Sequence, residues 1–123
     1  MWRKSPSLLS DAIVAADLIL RHTADRTLDE YVGEPWFRSA VERNYEIIGE
    51  AIRIVERQDP EIAAMIPDYR EIIDFRNRIA HGYYSLDHVR VWRYTKELLP
   101  GLRSVIAAIL DDHAGSSQSE TAS

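Results

Sequence analysis

The stretch Phe75-Arg76-Asn77-Arg78-Ile79-Ala80-His81-Gly82-Tyr83 brings a guanidinium, an imidazole and a phenol together near the end of a predicted helix. Those groups suit RNA cleavage without a metal. There the 2'-hydroxyl attacks the adjacent phosphorus, a base takes its proton, an acid protonates the departing 5'-oxygen and a cation offsets charge on the phosphoryl oxygens. An imidazole, with an ordinary pKa of about 6.5, can act as acid or base. A guanidinium holds a phosphate through its planar fork. A histidine at a helix C-terminus also feels the negative end of the dipole, which suits an acid or a phosphate ligand better than a base. His81 and Arg76 are therefore the candidate catalytic residues, with Asn77 and Arg78 as candidates for orienting substrate.

Position on the helix sharpens this. Tyr69, Ile72, Ile73, Ile79 and Ala80 stand three, four or seven residues from Arg76, so Arg76 falls on the apolar stripe of its own helix. A guanidinium there is costly unless something negative meets it. A substrate phosphate is one candidate, and an ion pair with Asp74 or Glu50 is another. Five residues of ideal helix turn two side chains about 140° apart. Arg76 and His81 can therefore share a site only if the helix ends before His81, as Gly82 suggests, or if a second chain completes it. Asn77 could equally cap a backbone carbonyl, and Tyr83 could be only a packed aromatic, with Tyr84 beside it.

The elements that must position these groups are all predicted to be helical. Ser5-Pro6 reads as a helix start, and an apolar face from Leu8 to Leu20 makes residues 6–22 amphipathic. Thr27 and Glu30 fit a capping box, closed by Gly33. Phe37, Val41, Ile48, Ile52 and Val55 define a long core helix over 36–57. Gly49 inside it costs roughly 1 kcal/mol relative to alanine, which implies close approach by a neighbouring helix or a second copy. Asn44 on the same stripe is expected to make a buried hydrogen bond across a dimer. A short helix follows Asp59-Pro60, Pro67 opens the motif helix, Ser85 or Asp87 caps the next through Lys96, and Pro100 marks a new start. Leu98, Leu102, Val105, Ile106, Ile109 and Leu110 form the last stripe. The expectation is an all-α, up-and-down bundle of four to six helices: one domain over 1–113 and a disordered tail over 114–123.

Composition narrows the function. Without cysteine there is neither a disulfide framework nor a thiolate metal site, and a cytoplasmic setting is expected. The N-terminal Arg3, Lys4 and apolar run resemble a secretory signal, but Asp11 and Asp17 interrupt it, and no run is long enough to span a membrane. His22, His88 and His113 show no metal-ligand spacing, so neither metal nor cofactor is expected. Net charge is -5, against broad adhesion to nucleic acid. The charge is uneven: residues 24–62 hold ten acids and five bases, whereas residues 70–96 hold six Arg or Lys and three acids. A cationic groove on an acidic body is compatible with an RNA substrate. Trp36, Trp92, Tyr45 and Tyr94 could stack on bases but are more often core, and Arg90 and Arg93 read as a solvated face.

The run from Ile66 to Tyr83, with Arg76-Asn77-x3-His81-Gly82-Tyr83 at its heart, resembles the signature of the HepT-like toxins of the HEPN superfamily. Ile47-Ile48-Gly49-Glu50-Ala51 and the stretch Val89–Pro100 are similar to that family too. The resemblance implies a HEPN-like homodimeric helical ribonuclease with its cleft between two copies. It also implies an MNT-type nucleotidyltransferase antitoxin that transfers AMP to the motif tyrosine, here Tyr83. Arg78 departs from the pattern, where an apolar residue is expected; it could bind phosphate, sit in solvent or alter substrate choice. The alternative is a noncatalytic subunit that presents nucleotide or substrate to a nucleotidyltransferase.

Overall fold

The computed structural model describes residues 4–81 and 87–122, with side chains as far as Asp112. Among them all regular structure is helical: α1 (Ser5–Thr23), α2 (Leu28–Gly33), α3 (Pro35–Gln58), α4 (Pro60–Ala63), α5 (Tyr69–Ala80), α6 (His88–Glu97) and α7 (Leu99–Ala122). The bundle is all-α as expected, with more segments because α2 and α4 are brief. No described helix is long and apolar enough to cross a membrane.

The centre of the bundle is α3. Its Val41, Tyr45, Ile48, Ile52 and Val55 recur at alternating spacings of four and three and are all buried, so one stripe of the helix faces the interior along its length. Small residues on α1, Ala12, Ala15 and Ala16, are buried beside Leu9 and Ile19 and let α1 lie close against α3. Leu99, Leu102, Ile106 and Ile109 of α7 close the core from the α1 side. α5 lies against α3 and contributes only Ile72 to the fully buried set. Tyr69, Ile73, Phe75 and Ile79 are half-buried. The motif helix is thus held at the edge of the bundle.

Polar contacts fix α6. The buried Tyr45 hydroxyl donates to Thr95 Oγ1 at 2.6 Å, and Thr95 in turn donates to the Val91 carbonyl at 2.8 Å. Lys96 Nζ, lying over the Trp92 ring, donates to the Thr23 carbonyl at the C-terminal end of α1. Orphan carbonyls at a helix C-terminus take such a cation readily.

Several helix ends differ from the sequence reading. Lys4, not Ser5, is the N-cap of α1, and the Ser5 hydroxyl donates instead to Asp59 Oδ2. The capping box of Thr27 and Glu30 is present in full. α5 starts at Tyr69 and not at Pro67, because Asp68 takes a left-handed conformation (φ 56°), which aspartate tolerates better than most residues. Asp87 caps α6 by accepting from the Arg90 amide. In the last stripe Leu99 is buried and Leu98 exposed, the reverse of the expected register. The Asn44 amide donates one turn back to the Ala40 carbonyl. α7 extends as far as Ala122.

Candidate active site

Gly49 brings the motif helix close to α3. A Cβ built there would stand 2.3 Å from Arg76 Cβ and 3.0 Å from the Ile72 carbonyl oxygen. Only glycine admits α5 at this distance. The neighbour that the sequence requires at Gly49 is therefore the motif helix, and the close approach lays the Arg76 side chain along α3.

The Arg76 side chain is 25% exposed and meets the carboxylate of Glu50 one residue beyond Gly49, with Nη2 2.9 Å from Oε2. Its Nη1 donates to Asn77 Oδ1 at 3.0 Å, and its Nε is buried without a hydrogen bond among the described residues. Glu50 also accepts two bonds from Arg53, at 2.8 and 3.1 Å. One carboxylate thus faces two guanidiniums. Charge at this point is net positive, and the cluster remains open to an anion.

Hydrogen bonds from Arg53 hold the Glu50 carboxyl below its ordinary value of 4.5, with the charges of Arg53, Arg76 and Arg57 assisting and burial opposing. A carboxyl lowered in the folded state stabilises the fold above its unfolded pKa, and that contribution disappears as pH falls through the lowered folded value. Wild type and Glu50→Gln should therefore differ in unfolding free energy at pH 6 and converge as pH falls through the lowered Glu50 value. Urea titrations at several pH values check this. A difference that stays constant through the acid range would contradict it.

His81 is the C-cap of α5, as Gly82 suggests, and the helix stops at Ala80. Both its backbone N–H and its ring Nδ1 lie on the Asn77 carbonyl, at 3.1 and 2.6 Å. A carbonyl only accepts, so Nδ1 carries a proton and the neutral ring has its lone pair on Nε2. Asn77 is the junction of the site: its side chain holds Arg76 and its carbonyl holds His81. Arg78 points elsewhere. It is exposed and lines the cleft between α5 and α6. Tyr83, Tyr84 and Gly82 lie outside the described residues.

The sequence profile of the family described as "Ribonuclease HepT-like" matches residues 12–109. The chain belongs to that family. A provisionally named RNase of Methanocaldococcus jannaschii is 28% identical to it over 107 residues, covering 87% of this chain and 97% of that one. A second provisionally named RNase of the same organism is 27% identical over 110 residues, covering 89% and 94%. A Thermococcus cleftensis protein, provisionally named ribonuclease HepT, is 29% identical over 103 residues, covering 84% and 93%. No solved structure gives a significant match. The HepT-like match takes in the whole of α3 and α5, the two helices that meet at Gly49. Among the site's residues Glu50 is legible in the sequence only as a counterion for Arg76. Its position next to Gly49 is the available signal, because a residue beside a close approach must face the helix that approaches.

Proposed function

We propose that this HepT-like chain is a metal-independent endoribonuclease acting as a homodimer, the toxin of a toxin–antitoxin pair. The observation that carries the reading is the Asn77 junction: one residue holds both the half-buried Arg76 guanidinium and the ring of His81. In this reading Arg76 binds the scissile phosphate and steadies charge in the transition state. The 2'-oxygen forms its bond to phosphorus as the bond to the 5'-oxygen breaks. His81, protonated at both ring nitrogens, gives the Nε2 proton to that leaving oxygen. The proton of the 2'-hydroxyl goes to His81 of a second copy. Half-buried Ile73 and Ile79, which flank Arg76 on α5, supply apolar surface for that copy to cover.

RNA digested with purified protein in excess chelator tests this. Fragments ending in 2',3'-cyclic phosphate and 5'-hydroxyl are expected; cleavage that requires an added divalent cation overturns the metal-independent reading. The same proposal makes Tyr83 the switch, modified with AMP by a nucleotidyltransferase antitoxin. Intact mass after incubation with ATP and such an enzyme should rise by whole AMP units in wild type and stay unchanged in Tyr83→Phe. Undiminished modification of that variant rejects Tyr83 as the acceptor.

A further inference from the structure

Between α5 and α6 lies a cavity of about 330 Å³ that the catalytic proposal leaves unused. This is the small end of the range for ligand sites, room for about one nucleoside. Its inner surface is apolar and largely aromatic: Tyr45, Ile72, Phe75, Val91 and Tyr94. The Phe75 and Tyr94 rings stand at 81° and 72° to the Tyr45 ring, with centroids 5.3 and 5.9 Å away. Tyr45 is itself buried, so the half-buried Phe75 and Tyr94 present the aromatic surface to a planar ligand.

The rim is polar and mixed in charge, with Glu71, Asp74 and Asp87 facing Arg78 and Arg90. Two of these acids are already engaged. Glu71 pairs with Arg90 at 2.9 Å, and Asp87 caps α6. Asp74 and Arg78, one helical turn apart, make no hydrogen bond or ion pair among the described residues. A bare anion would meet more carboxylates than guanidiniums here. A nucleotide suits all three features, because its base is planar, its exocyclic amine donates to a carboxylate and its phosphate takes a guanidinium.

Placement connects the cavity to the chemistry. Arg78 follows directly on Asn77, whose side chain and carbonyl hold Arg76 and His81, so the rim of the cavity begins one residue from that junction. We infer that the α5–α6 cavity is a base pocket for a nucleotide next to the scissile bond, with Tyr94 stacking on the base, Asp74 accepting from its exocyclic amine and Arg78 holding its phosphate. This rests on the ribonuclease reading and adds base selectivity to it. Uracil has no exocyclic amine and is the base the pocket disfavours.

The test is to map cut sites of wild type, Asp74→Ala and Tyr94→Leu on an RNA pool of random sequence. Wild type should show uracil depleted about tenfold at one fixed position beside the cut. Asp74→Ala should bring that depletion to within twofold, and Tyr94→Leu should weaken cleavage of all sequences while keeping the bias. No positional bias in wild type, or the same bias in Asp74→Ala, overturns the pocket. Calorimetry with CMP, GMP and UMP separates this from failure of the ribonuclease reading. If no RNA is cut, binding of CMP or GMP but not UMP, lost in Asp74→Ala, still supports the pocket. Equal binding of all three, or none, overturns it.

Discussion

His81→Ala is expected to lose RNA cleavage by a factor of about 10²–10⁴ while folding normally. The range is that of a positioned general acid or base. His81 is exposed at the end of α5, and truncating it removes a ring bond to the Asn77 carbonyl but no core packing. Its thermal unfolding should stay near that of wild type, as for most surface substitutions. Arg76→Ala should lose a comparable factor, roughly 10²–10³ for removing one donor to a developing oxyanion. Arg76→Lys should not restore it, because an ammonium cannot reach Glu50, Asn77 and a phosphate together as a planar fork does. Rates on one defined RNA, beside melting curves of each variant, separate chemistry from folding. Cleavage by His81→Ala at the wild-type rate would remove the proton-transfer role.

The second large effect is on stability, at a residue with no side chain. In an exposed helix interior, glycine to alanine stabilises by about 1 kcal/mol. At Gly49 the sign should reverse. The new Cβ would lie 2.3 Å from Arg76 Cβ and 3.0 Å from a backbone oxygen, and neither Cβ nor a carbonyl can rotate out of the way. α5 must move off α3. Overpacking of this kind costs about 1–3 kcal/mol, so Gly49→Ala should be net destabilising and Gly49→Val more so. Gly101, helical and exposed, is the matched control, since a Cβ added there would meet nothing within 4 Å. Gly101→Ala should gain up to about 1 kcal/mol. Denaturant midpoints at unchanged slope report both. Gly49→Ala should also lower cleavage, since displacing α5 carries Arg76 away from Glu50. A Gly49→Ala protein as stable and active as wild type would show that the two helices do not need this contact.

Much of the frame can be read along the chain. The stripe of α3, the capping box of Thr27 and Glu30, the stop at His81 and the unusual glycine at position 49 are each signalled by residues close together in the chain. Helix ends are less legible. Pro67 suggests a start that the left-handed Asp68 delays, and the leucine pair 98 and 99 reads one residue out of register. Such errors arise where a turn and tertiary contact, not periodicity, decide which residue turns inward.

Aromatic roles also depend on packing. Trp36 and Trp92 are equivalent by type, yet Trp36 is 91% exposed at the start of α3 while Trp92 packs with Tyr31 and Phe37. Tyr45 is buried on Thr95, fifty residues away, and burial pushes its phenol well above the ordinary value of 10.0.

The sequence by itself determined that the chain is helical and that Arg76 occupies an inward-facing position needing a negative partner, because helical periodicity is a local property set by side-chain spacing. It also marked the end of α5 at His81. Tertiary structure alone decided that the partner is Glu50 shared with Arg53, that Asn77 joins Arg76 to His81, and that Arg78 turns to a separate aromatic cavity. Those outcomes depend on which surfaces of two helices meet and how closely, and the deciding contact, glycine on α3 against arginine on α5, spans a separation that no local pattern encodes.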